Sequence, residues 1–130
     1  MQERIDQELI LLRNRWPNLE YVKEGQWIRI PSHALPEGWN PSVIDVAFTI
    51  PVQYPGTPPY GIYAPAGLTY KGQQPDNYVV APQQPPFGGT WWIFSWQPEP
   101  SQWRPTGNIV SGSNMVNWVI GFAERFRAGK

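Results

Sequence analysis

The sequence predicts an α+β fold: a helix at each end of the chain and, between them, an antiparallel meander of four strands, all in one domain over residues 1–130. Three observations carry this prediction. Apolar residues recur at helical spacing near both ends, β-prone runs fall between residues 19 and 63, and residues 64–90 keep no period at all.

At the N-terminal end, Ile5, Leu9, Leu12 and Trp16 follow one another at steps of four, three and four, with Glu3, Arg4, Asp6 and Arg13 on other faces. This is the pattern of an amphipathic helix, and Pro17 ends it. Residues 19–22 and 26–30 are short β-prone runs on either side of Glu24-Gly25, a hairpin-turn pair. Residues 31–41, rich in Pro and Gly, read as a loop that carries the lone histidine, His33. Next, Ile44, Val46, Phe48 and Ile50 alternate with Val43, Asp45, Ala47 and Thr49, which predicts a strand with one fully apolar face. A proline turn follows, and residues 60–63 are expected to form the fourth strand. Pro, Gly, Gln and Asn then punctuate residues 64–90, and an irregular loop of that length is usually functional. Residues 91–96 read as an extended aromatic segment packed on the body. After a loop over 104–111, Ser113 is the expected N-cap of a last helix. Met115, Trp118, Val119, Phe122 and Phe126 share one face of that helix, with Arg125 and Arg127 near its C-terminal end.

Ten Lys plus Arg balance ten Asp plus Glu, so nothing suggests an electrostatic grip on nucleic acid or on an anionic membrane. The apolar runs are too short to span a bilayer and the charged N-terminal segment has no signal-peptide core, so a cytoplasmic protein is expected. With no cysteine and one histidine, the chain has no disulfide, thiolate site, thioester chemistry or multi-histidine metal cluster. No metal or cofactor is expected, and any chemistry must use oxygen nucleophiles. Sixteen prolines and twelve glycines would suggest low complexity, but eight tryptophans supply the apolar area to order proline-rich loops on a core.

The most informative run is Tyr54-Pro55-Gly56-Thr57-Pro58-Pro59, placed after Phe48-Thr49-Ile50 and followed by Ser95 and, eight residues later, by Trp103. On these residues the chain resembles the ubiquitin-conjugating enzyme (UBC-like) superfamily. That family carries a Tyr-Pro-x-x-Pro-Pro turn after its third strand, then an active-site cysteine, then a Trp eight residues beyond it. The resemblance covers nearly the whole chain and is closest to the divergent bacterial branch of ubiquitin-like conjugation operons (prokaryotic family E-like). It implies a UBC-like fold with a long irregular active-site loop, a structural motif of Tyr54, Pro55, Pro58, Pro59 and Trp103, and Ser95 at the nucleophile position. It also implies three partners: a ubiquitin-like protein, an activating-enzyme-like protein, and a JAB-type metalloprotease of the same pathway. By the same resemblance Arg4, Gln7 and Arg13 lie where the family meets its activating enzyme, and Trp96 is a further candidate partner contact. The family's His-Pro-Asn triplet corresponds to Pro85-Pro86-Phe87, which keeps only the middle proline. Asn77, in the enlarged loop, is the candidate replacement for the oxyanion donor.

A serine changes the chemistry. Its hydroxyl stays protonated near neutral pH unless a base takes the proton, and its ester acylates amines more slowly than a thioester does. It therefore needs a base and oxyanion donors. The candidate bases are Glu99, Asp76 and His33, against which stand the plainer readings of a solvated carboxylate, a turn residue and an exposed loop histidine. The leading expectation is acyl transfer through an oxyester on Ser95, with the serine either native or standing in for a cysteine to trap a stable ester. The alternative is a catalytically inactive UBC-like scaffold that binds a ubiquitin-like protein or an activating enzyme. Trp91, Trp103 and Trp118 are expected as core anchors. Residues 88–102 contain no Lys or Arg, which argues against a nucleic-acid platform there.

Overall fold

Alternation along the strands sorts side chains onto two faces of one sheet, and each face buries an apolar cluster. The computed structural model describes residues 2–97 and 102–129. Helix α1 (Gln2–Arg15) leads into β1 (Glu20–Val22), β2 (Trp27–Ala34), β3 (Trp39–Asn40), β4 (Val43–Thr49), β5 (Ile62–Pro65), β6 (Thr69–Tyr70), β7 (Tyr78–Val80) and β8 (Trp91–Phe94), and helix α2 (Met115–Ala128) follows. The main sheet has six strands in the order β1-β2-β4-β5-β8-β7, each pair antiparallel, while β3 and β6 pair with each other. The expected four-stranded meander is therefore the first part of a larger sheet. Beyond β5, the strand β8 takes the next place and β7 forms the edge.

Both helices lie against one face. Ile5, Leu9 and Leu12 of α1 and Trp118, Phe122 and Phe126 of α2 share a core with Ile28, Val46, Phe48, Ile62, Tyr78 and Phe94 of the sheet. The opposite face carries Trp27, Ala47, Tyr63, Trp91 and Ile93, covered by Ala81 and Phe87 of the β7–β8 connection. Gln84 holds that connection in place of a strand: its amide donates to the carbonyls of Ala81 and Trp91 at 3.2 and 2.9 Å, and its oxygen accepts from the Trp91 N–H at 2.8 Å. Among the described residues, no helix is long and apolar enough to cross a membrane.

Several expectations are corrected. His33 lies in β2 and not in a loop, because the strand runs on past Pro31 through a register shift between Ile30 and His33. Ser32, at φ 58°, absorbs the shift, and its N–H donates to Asp45 Oδ1 at 3.1 Å. The fourth strand of the meander begins at Ile62 and not at residue 60. Gly61 precedes it at φ 82°, where a Cβ would come within 2.5 Å of Ile93 Cδ1. Residues 64–90 hold β6 and β7 and are not one irregular loop. Tyr78 anchors this stretch: its hydroxyl accepts from the Leu68 N–H at 3.1 Å and donates to the Pro65 carbonyl. The cap of α2 is Asn114, one residue beyond the expected Ser113. Asn114 Oδ1 accepts from the Asn117 N–H at 3.0 Å and Asn117 Oδ1 accepts from the Asn114 N–H at 3.0 Å, a reciprocal cap. Ser113 Oγ instead joins the loop before it, accepting from the Arg104 N–H at 2.8 Å. Arg125 is buried, with its guanidinium 4.7 Å from the Phe94 ring centroid.

Candidate functional site

The proline turn is locked to both helices by one carboxylate. Glu8 falls on the apolar stripe of α1 and is 0% exposed. Its Oε1 accepts from the Tyr54 hydroxyl at 2.6 Å and from the Met115 N–H at 2.7 Å, and its Oε2 accepts from Arg4 Nε at 2.7 Å. The Met115 amide opens α2, so the carboxylate also sits at the positive end of that helix. Burial and the adjacent Glu8 carboxylate push the Tyr54 hydroxyl well above the usual phenol range, which keeps it a donor. On its other side Tyr54 meets Trp103, ring centroids 6.0 Å apart, and Trp103 Nε1 donates to the Pro55 carbonyl at 2.8 Å. Tyr54 and Pro55 thus form one interlocked unit with Trp103, which is distant in sequence. A Trp103→Phe variant keeps a ring and loses this bond, so chemical denaturation is expected to show a loss of about 1 kcal/mol. An unchanged midpoint would mean that the indole N–H contributes nothing.

Ser95 follows β8 directly and is exposed. Its N–H donates to the Asn77 carbonyl at 2.9 Å, continuing the β7–β8 ladder, and on the β5 side the Gly61 N–H donates to the Trp96 carbonyl at 2.8 Å. Because Trp92, Phe94 and Trp96 pack toward the helices, alternation turns Ser95 to the opposite face. The structure therefore brings Ser95 and Asn77 side by side. Among the described residues, the Ser95 hydroxyl makes no hydrogen bond.

The base candidates are dispersed. His33 packs against Phe122 and Phe126 at ring-centroid distances of 6.3 and 5.8 Å, and burial lowers its pKa. Its strand, β2, lies three positions from β8 in the sheet, about 14 Å at ordinary strand spacing, so it is not paired with Ser95. The Asp76 carbonyl accepts from Arg125 Nη2 at 2.8 Å, and the Asp76 charge acts on the same guanidinium, on the helix side of the sheet. Glu99 lies outside the described residues. The stretch Pro85-Pro86-Phe87, matched to His-Pro-Asn, belongs to the cover of the outer face. There Phe87 packs on Trp91, with centroids 6.3 Å apart, and under it lies the Arg29 guanidinium at 5.6 Å. Among the described residues, no group of three or more His, Cys, Asp or Glu side chains is placed to hold a metal ion.

The candidate partner contacts divide. Gln7 and Arg13 are exposed on α1. Arg4 faces inward: beyond Glu8, its Nη1 donates to the Thr106 carbonyl at 2.6 Å and its Nη2 to that of Ser113 at 3.4 Å. Trp96 is half-buried and packs on Trp118 with centroids 5.1 Å apart, facing away from the Ser95 side. The aromatic surface and the nucleophile position are consequently on opposite faces. Sequence reasoning missed Glu8, although a carboxylate three residues after Ile5 and one before Leu9, inside an apolar stripe, was a visible signal. Comparison with family models, curated proteins and solved structures finds no match to the chain.

Proposed function

We propose that the chain is a ubiquitin-conjugating-like protein that receives the C-terminal acyl group of a ubiquitin-like protein at Ser95 and passes it to an amine. The observation that carries this reading is the interlock of Tyr54, Pro55 and Trp103 through the Trp103 indole, with Ser95 exposed at the end of β8 beside Asn77. In the first step, Ser95 Oγ attacks the thioester carbonyl on the activating enzyme. The new C–O bond forms as the C–S bond breaks, the partner's thiolate leaves, and the hydroxyl proton passes to a base. In the second step, a target amine attacks the ester, an amide forms, and the serine hydroxyl is regenerated. The supply of ATP to the activating partner puts this reaction in the cytoplasm.

A second reading, a non-covalent scaffold for a ubiquitin-like protein or its activating enzyme, is favoured by one observation: among the described residues, no base is hydrogen-bonded to Ser95 Oγ. Intact-mass analysis after incubation with a ubiquitin-like protein, its activating enzyme, ATP and magnesium separates the two. Acyl transfer predicts a mass gain of one ubiquitin-like protein less water, mapped to Ser95 and lost in Ser95→Ala. A complex that co-elutes on gel filtration without any adduct supports the scaffold. An adduct that persists in Ser95→Ala removes Ser95 as the acceptor.

A further inference from the structure

On the helix side of the sheet, the chain leaving β8 and the outer face of α2 enclose a groove of about 250 Å³, whose walls include Trp96, Trp103, Trp118, Gln97, Asn117 and Glu124. Sites for drug-sized ligands and cofactors run to about 300–1,000 Å³, so this one suits a single long side chain. Its shape depends on Gly121, the residue of α2 beneath Trp96. A Cβ there would come within 2.9 Å of Trp96 Cη2 and push the indole outward. Glu124 stands on α2 three residues after Gly121 and is exposed. None of the ion pairs among the described residues includes it.

The electrostatics select the ligand. Glu124 is the only charged group lining the groove among the described residues, and the other polar groups there are amides and a hydroxyl. The lining residues carry no positive charge to pair with a phosphate or carboxylate and the Glu124 carboxylate repels one, whereas indole faces and a carboxylate together attract a cation. We propose that the groove binds the cationic side chain of a partner protein, a lysine ammonium or an arginine guanidinium, between Trp96, Trp103 and the Glu124 carboxylate. The alkyl stem of such a side chain lies along the indoles while its head reaches Glu124. This site opens on the face away from Ser95 and does not rest on the acyl-transfer reading.

The test is an NMR titration of the whole protein with Nα-acetyl-arginine amide, Nα-acetyl-lysine amide and the neutral Nα-acetyl-norleucine amide. The indole N–H signals of Trp96 and Trp103 report binding. One or both cationic probes are expected to shift these signals saturably in the millimolar range, and Glu124→Gln is expected to weaken that binding by about threefold or more. The cation that saturates first identifies the side chain. Glu124 is exposed, so the variant's fold is checked by unchanged amide signals elsewhere. Equal shifts with the norleucine probe, shifts that never saturate, or a titration unaltered in Glu124→Gln would each overturn the proposal.

Discussion

Glu8→Ala is expected to remove about 3–5 kcal/mol of folding stability, the cost of breaking a buried charged network by deleting one partner. For a domain whose whole stability is about 5–15 kcal/mol, this is a large share. Three groups lose their acceptor at once: the Tyr54 hydroxyl, the Met115 N–H and Arg4 Nε. Tyr54 cannot compensate by ionising or by turning to water, because it is 0% exposed and its hydroxyl is held far above the usual phenol range. Water entering the space left by the carboxylate would restore only part of the network. Glu8→Gln keeps one acceptor oxygen and is expected to fall between wild type and Glu8→Ala. Urea denaturation of the three proteins measures the series. A loss below about 1 kcal/mol for Glu8→Ala would show that the network relaxes and that the carboxylate is not its centre.

Phe122→Ala is expected to cost about 3–5 kcal/mol as well, by a different physical route. Phe122 is 0% exposed, and its ring makes edge contacts with Phe48, Trp118 and Trp96 at centroid distances of 6.2, 5.6 and 6.2 Å and with His33 at 6.3 Å. Truncation removes the apolar area of the ring and leaves a cavity bounded by rigid aromatic walls that close in poorly. Phe122→Leu, which refills most of that volume, is expected to recover more than half of the loss. The near-ultraviolet circular dichroism of the tryptophans should change in Phe122→Ala and be largely retained in Phe122→Leu. Thermal denaturation that places the two variants within about 1 kcal/mol of each other would mean that the site collapses around the smaller side chain.

The helices and β4 were readable because their inward residues repeat. Met115, Trp118, Val119, Phe122 and Phe126 are all buried, as are Ile44, Val46, Phe48 and Ile50. The hairpin at Glu24-Gly25 was equally plain: Gly25 has φ 77° and the Gln26 N–H closes the turn onto the Lys23 carbonyl at 3.1 Å. β7 was not readable, since it has three residues, of which only Tyr78 is buried, and a single anchor creates no period. Pro31 suggests a break ahead of His33, whereas the positive φ of Ser32 lets the strand bend and continue. At the candidate site, Ser95 is exposed directly after β8, while Trp103 packs on Tyr54 and donates its indole N–H to the Pro55 carbonyl. The placement of Asn77 depends on β7 lying beside β8, a non-local pairing with no short sequence motif of its own. The matched position Pro85-Pro86-Phe87 went to the outer face because Phe87 and Trp91 bury each other there.

The insertion of β8 between β5 and β7 sets an order for assembly of the sheet. During synthesis, β1, β2, β4 and β5 can pair in sequence as each emerges, but β7 has no neighbour until β8 has been made. The nascent sheet therefore waits with the edge of β5 open, a surface prone to pairing with other chains, for the time it takes to make the β5–β8 connection. Gln84 and Phe87 lie within that connection, so the segment that delays closure also carries the groups that bind β8 on its arrival. Chaperone dependence or misassembly of this protein is accordingly expected to originate at the β5 edge, not at the helices.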